Sequence, residues 1–157
     1  MADAGEFRIT EDDLSGAPVQ ALIALHLKAV SSHSPANSVH ALDIDRLRRP
    51  DVTFWTLWEG DALLGCGALK ELGGTEGEIK SMRTDPAALG RGVGAAILRH
   101  IIAEAKARGY ARLNLETGTG PAFEPAHRLY LRHGFTDCPP FADYRNDPFS
   151  RFMTLSL

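Results

Sequence analysis

The chain has 157 residues, 44% hydrophobic and 24% charged, with a net charge of −3 from 17 basic and 20 acidic side chains. One core suits that length, and a composition so close to the globular average excludes a disordered or fibrous chain. The charges are scattered rather than gathered into a basic stripe, and no stretch approaches the roughly 20 apolar residues of a membrane span, so neither nucleic acid nor a membrane is an expected partner.

Acids stand near the N-terminus where a secretory leader carries a basic flank and an apolar block, and the chain reads as cytoplasmic. Phe7 to Thr10 predicts a short first strand, followed by a helix whose apolar positions are Val19, Leu22, Ile23, Leu25, Leu27 and Val30. Ser31 to His40, rich in serine and holding Pro35 and Asn37, predicts a loop before a short second helix near Leu42 to Arg48. Val52 to Trp58, a turn at Glu59-Gly60-Asp61, Leu63 to Leu69, a turn at Gly73 to Gly77 and then Glu78 to Thr84 predict three strands in an antiparallel meander. From Val93 the positions Ile97, Leu98, Ile101, Ile102 and Ala105 recur at helical spacing, with Gly109 as the C-terminal stop. Arg112 to Glu116 predicts a strand, Ala126 to His133 a helix ended by Gly134, and Phe152 to Leu157 a last strand. The order is mixed α/β, of the α+β kind, in a single domain spanning residues 1–157 with no internal repeat or linker. Cys66 and Cys138 lack metal-ligand spacing and read as inert thiols; the six histidines repeat no metal pattern, and no metal is expected.

The central signal is Leu89-Gly90-Arg91-Gly92-Val93-Gly94, between a strand ending near Thr84 and the strongest helix. Glycines permit positive φ and close backbone approach, and the free N–H groups of a first helical turn favour an anion, so the ligand should carry phosphate. A dinucleotide-binding loop needs a parallel strand-helix-strand unit with its glycines after the first strand, but here a meander comes first. A nucleoside-triphosphate loop needs Lys-Ser/Thr after its last glycine, where this chain has Ala95-Ala96.

Met82-Arg83-Thr84-Asp85-Pro86 followed by Leu89 to Gly94, and then Ala126, Leu129, Tyr130, Gly134 and Phe135, together resemble the two motifs of the GNAT N-acetyltransferases. The likeness covers nearly the whole chain. Gly77 to Pro86, Leu115-Glu116-Thr117-Gly118 and Pro140-Phe141-Ala142-Asp143-Tyr144 further resemble a bacterial subgroup of that family. Two positions depart from it: Leu89 stands where Arg or Gln is usual, and Phe123 where Asn is common.

The resemblance implies a mixed, mostly antiparallel central sheet of about six or seven strands flanked by about four helices. It implies acetyl-coenzyme A as co-substrate, with pyrophosphate on the N–H groups of Gly90, Arg91, Gly92, Val93, Gly94 and Ala95, beside Leu89. The pantetheine arm would follow the strand edge at Met82, Arg83 and Thr84, and Phe123 also falls on the cofactor side. Direct transfer to the amine of a small molecule in a ternary complex follows. A non-catalytic acyl-coenzyme A binding module and transfer to a protein amine are the alternatives, and a homodimer is left open. Tyr130 matches the family tyrosine near the cofactor sulfur, although its spacing equally suits a core residue. Glu78 stands where some members carry a catalytic glutamate, and period-two alternation would put Glu78, Lys80, Met82 and Thr84 on one face if no bulge intervenes. The competing reading of Glu78 is an exposed acid paired with Lys80. Glu116 is the reserve base and a candidate acceptor contact, with His33 and His40 in the loop that borders the acceptor in the resembling fold.

Overall fold

The apolar periodicities resolve into a seven-stranded sheet with helices on both faces. The computed structural model describes residues 6–30 and 40–157. In chain order its elements are β1 (Arg8–Glu11), α1 (Ala17–Val30), α2 (His40–Leu47), β2 (Val52–Glu59), β3 (Ala62–Gly73), β4 (Glu76–Thr84), α3 (Val93–Ala107), β5 (Arg112–Gly118), α4 (Glu124–Arg132), β6 (Thr136–Asp137) and β7 (Ser150–Ser156). Short 3₁₀ turns at Pro86–Ala88 and Pro121–Phe123 precede α3 and α4. The last helix starts earlier than its apolar spacing predicts, because Pro125 sits in its first turn, where a missing N–H costs nothing. The two-residue β6 carries no alternation to predict it from.

The strand order is β1-β2-β3-β4-β5-β7-β6, and among these pairs β4 with β5 is parallel while the others are antiparallel. The expected meander is β2, β3 and β4. Both faces are covered, which is why β2 reads as a nearly continuous apolar run. Trp55 and Leu57 face one way, with Leu69, Ile79, Leu113, Leu115 and the α3 stripe Val93, Ile97, Leu98 and Ile101. Phe54, Cys66 and Ala68 face the other way, against Leu14, Val19, Leu22 and Ile23 around α1 and Leu47 of α2.

Gly65 and Gly67 let α3 lie close on β3. A Cβ on Gly67 would sit 2.7 Å from both Ile97 Cγ2 and Met82 Sδ, and one on Gly65 2.7 Å from Val93 Cγ1. This close seat fixes the first turn of α3 beside the end of β4.

β4 departs from regular alternation. Lys80 pairs with Ala68, but Arg83 pairs with Cys66, so β4 spends three residues where β3 spends two. Ser81 takes a left-handed φ of 55° at this bulge, and the Cys66 thiol donates to its carbonyl at 3.3 Å. The expectation that Glu78, Lys80, Met82 and Thr84 share a face therefore fails. The extra residue turns Met82 toward the α3 side, where it packs, while Glu78, Lys80 and Arg83 keep the α1 side with their partners Lys70, Ala68 and Cys66. A bulge also increases local twist. β4 pairs with β5 through Ile79 and Leu115 and no further, while β5 runs on beside β7 from Glu116 to Gly118. The sheet is thus split between Lys80–Thr84 and Glu116–Gly118.

Candidate active site

The split has two contrasting walls. On the α3 side, Asp85 anchors the approach: its N–H donates to Leu64 O at 2.8 Å, and its carboxylate accepts from Ala87 N at 2.9 Å. The chain then turns through Gly90 at φ 79° into Gly92, the N-cap of α3, at φ 82°. No side chain caps this helix, and a Cβ on Gly90 or Gly92 would meet nothing within 4 Å. The result is an open cradle of backbone N–H groups at the positive end of a 15-residue helix.

Around that cradle, Thr84 Oγ1 and Leu129 of α4 lie 3.7 Å and 3.2 Å from where a Gly94 Cβ would stand, so both border the first turn of α3. Leu89 is 67% exposed at the rim. Arg91 turns to the neighbouring rim, donating to Glu59 at 3.1 and 2.5 Å with its guanidinium 5.7 Å from the Phe7 ring centre. Phe123 packs against the end of β5, its ring 2.4 Å from where a Gly118 Cβ would be. Tyr130 is buried in the α3-side core, tilted on Phe135 at 5.7 Å, and burial pushes its phenol up to about 12.

The opposite wall is acidic and aromatic. Glu78 is only 2% exposed, which overturns the reading of it as a surface acid; its pairing with Lys80 is nevertheless present, at 3.4 Å. Tyr144, from the segment between β6 and β7, donates its hydroxyl to Glu78 Oε2 at 2.6 Å, and Lys80 Nζ reaches the same hydroxyl at 3.3 Å. Burial first, then the hydrogen bond and charge of Glu78, holds the Tyr144 phenol far above its ordinary range. That phenol stays protonated and remains a donor.

Glu116 lies on the same face, two residues beyond Asn114, the register partner of Glu78, and accepts from Ser150 Oγ at 2.6 Å. Phe141, Tyr144 and Phe152 close this side as three rings with centroids 5.1 to 5.9 Å apart. His33 lies outside the described residues. His40 begins α2, a backbone placement that says nothing of its side chain.

The fold thus brings together Glu78, Glu116 and the parted edge of β4, and sets the glycine cradle with Met82 and Thr84 across the sheet from them. Sequence reasoning missed Tyr144 as a partner of Glu78, because the two are 66 residues apart. In the sequence the stretch Pro140 to Tyr144 carries only a resemblance, with no role attached.

The chain is similar to known proteins in sequence and in fold. Residues 20–135 match the model of the acetyltransferase (GNAT) family. The uncharacterized N-acetyltransferase YedL of Escherichia coli (strain K12) is 56% identical over 96% of this chain and 95% of its own. The IAA acetyltransferase of Azospirillum brasilense is 40% identical over 78% of this chain and 80% of its own. Among solved structures, the PaiA N-acetyltransferase of Thermoplasma acidophilum in complex with coenzyme A superposes with a TM-score of 0.74. It covers 97% of this chain and 99% of its own at 14% identity, a likeness of fold.

Proposed function

The chain belongs to the acetyltransferase (GNAT) family, and from that premise we propose that it transfers the acetyl group of acetyl-coenzyme A to the amine of a small-molecule acceptor. The observation that carries this reading is the split between β4 and β5, with an uncapped helix N-terminus on one side and a buried, hydrogen-bonded glutamate on the other. The coenzyme A complex of the Thermoplasma relative supports the co-substrate, and the name of the Azospirillum relative supports a small acceptor.

The phosphates would rest on the N–H groups from Gly90 to Ala95, where open space at Gly90 and Gly92 admits a ligand. The amide-bearing arm would lie along Met82 to Thr84, where β4 has left β5 and its backbone is free to pair with an extended ligand. The thioester then lies in the split, within reach of the Glu78 wall.

The amine nitrogen attacks the thioester carbon, the C–S bond breaks, and one proton leaves the nitrogen while one is taken up by sulfur. Glu78 receives the departing proton, directly or through water, with Tyr144 holding its carboxylate in place. Glu116 is the alternative acceptor of that proton. Tyr130, kept protonated by burial, would supply the hydrogen bond to the leaving thiolate.

Two measurements test this. Coenzyme A should raise the unfolding temperature, since a ligand of the native state alone stabilises it by mass action. Acetyl-coenzyme A with a panel of amines should release free thiol. A thermal shift without thiol release would favour the non-catalytic binding module; the absence of both would remove the proposal.

A further inference from the structure

Two buried side-chain nitrogens, His26 Nδ1 and Arg83 Nε, have no hydrogen-bond partner. They come from different elements, α1 and β4, near enough for the charge of Arg83 to act on His26. The bulge places Arg83 on that side, in register with Cys66. Burial, and then the charge of Arg83, lower the pKa of His26 to about 4, so the imidazole is neutral at ordinary pH.

A half-buried guanidinium ordinarily finds a carboxylate, because an unmatched buried donor is costly. Here the acids of the same wall are already engaged, Glu78 by Tyr144 and Lys80 and Glu116 by Ser150. No ion pair joins Arg83 to any described carboxylate. The wall therefore holds two carboxylates at one end and, at the other, His26 and a guanidinium with no ion-pair partner, near the Asp12 carboxylate whose charge acts on Cys66 as that of Arg83 does.

We infer that the acceptor is an amine that also carries a carboxylate, its carboxylate held by Arg83 beside His26 while its nitrogen is presented to Glu78. The inference rests on the reading of the Glu78 wall as the acceptor side. The spacing fits. Glu78 and Arg83 stand opposite Lys70 and Cys66, four residues apart on β3, or roughly 13 Å along the strand. Both side chains lie on one face, with Lys80, opposite Ala68, between them. A guanidinium binds a carboxylate through two parallel N–H bonds, which fixes orientation as well as charge. A purely cationic amine would instead meet Arg83 and Lys80 with like charge.

The test uses matched acceptors, the common α- and ω-amino acids each against its own amide, scored as kcat/KM by thiol release. The wild-type chain should prefer the acid of its best pair by tenfold or more, chiefly through KM. Arg83→Gln should bring that preference close to unity, and Arg83→Lys, which keeps the charge but not the fork, should retain part of it. In both variants the coenzyme A thermal shift should persist.

Equal rates with acids and amides in the wild type would overturn the inference, and that comparison needs no variant to fold. So would an Arg83→Gln protein that loses coenzyme A affinity but keeps the acid preference, since Arg83 would then serve the co-substrate. Thiol release with other amines but with none of the acids would overturn it too, whereas no thiol release with any amine would strike at the acetyltransferase reading beneath it.

Discussion

Glu78 and Tyr144 form the pair on which the proposed chemistry turns. A glutamate of ordinary pKa about 4.3 is a weak base for an ammonium near 10, so its task is to relay a proton as attack proceeds rather than to strip one beforehand. Glu78→Gln keeps the size and a hydrogen-bond acceptor for Tyr144 but removes the basic oxygen. Its kcat should fall about 100-fold with coenzyme A affinity nearly unchanged, and the deficit should narrow as pH rises and more acceptor arrives neutral. A loss equal at every pH would point to binding of the acceptor's charge instead. Tyr144→Phe leaves the ring against Phe141 and Phe152 and deletes the hydroxyl, with its 2.6 Å bond to Glu78 and its 3.3 Å contact with Lys80 Nζ. A hydrogen bond to a carboxylate contributes about 1.5–3 kcal/mol, so urea unfolding should register a loss at the lower end of that range. If Tyr144 positions Glu78, kcat should drop about tenfold while the KM for acetyl-coenzyme A holds; an unaltered kcat would leave it a structural prop.

At the scale of the element, two local irregularities make the site. The bulge at Ser81 turns Arg83 to the Glu78 side and Met82 to the α3 side, and coincides with the parting of β4 from β5. The N-terminus of α3 owes its open cradle to Gly92 in the left-handed region. Because a Cβ there would meet nothing within 4 Å, substitution acts through backbone conformation rather than collision. Gly92→Val should therefore cost about 1–2 kcal/mol of stability and abolish the coenzyme A thermal shift, while Gly92→Asn, a residue tolerant of positive φ, should keep much of both. Melting curves with and without coenzyme A decide it, and a full shift in Gly92→Val would show that the cradle does not hold the phosphates.

Across the whole molecule, burial of titratable groups sets the pH range of stability. His26 has its pKa lowered from 6.5 to about 4, so on acidification the unfolded chain takes up a proton that the folded chain refuses. The stability this group contributes is complete above pH 6.5 and is lost as pH falls toward 4, on the order of 3 kcal/mol at 1.36 kcal/mol per unit. Urea midpoints at pH 7.5 and 4.5 should differ accordingly, and His26→Leu should flatten that part of the profile; an unchanged slope would mean His26 is not the group responsible. At the alkaline end the sign reverses. Cys66 and Tyr130 are raised from 9.0 and 10.0 to about 12, so their contribution is intact below pH 9 and declines above it.

Much of this was legible in the sequence, because it depends on local order. The apolar spacing of α3, the alternation and turns of the meander, and the strand-glycine-helix order at Leu89 to Gly94 are properties of neighbours along the chain. Gly92, Tyr130 and Glu78 could be singled out on those grounds and by resemblance. What no local pattern carries is which face a residue takes after an inserted one, or which distant segment arrives above it. The bulge undid the common face of Glu78 and Met82, and the buried Glu78 takes a hydrogen bond from Tyr144, 66 residues away. The unpartnered pair of Arg83 and His26 arises in the same way, from two elements each regular in its own right. Period and propensity act over a few residues, whereas burial and charge pairing are settled only when the sheet closes, and so tertiary structure alone decided which groups share the Glu78 wall.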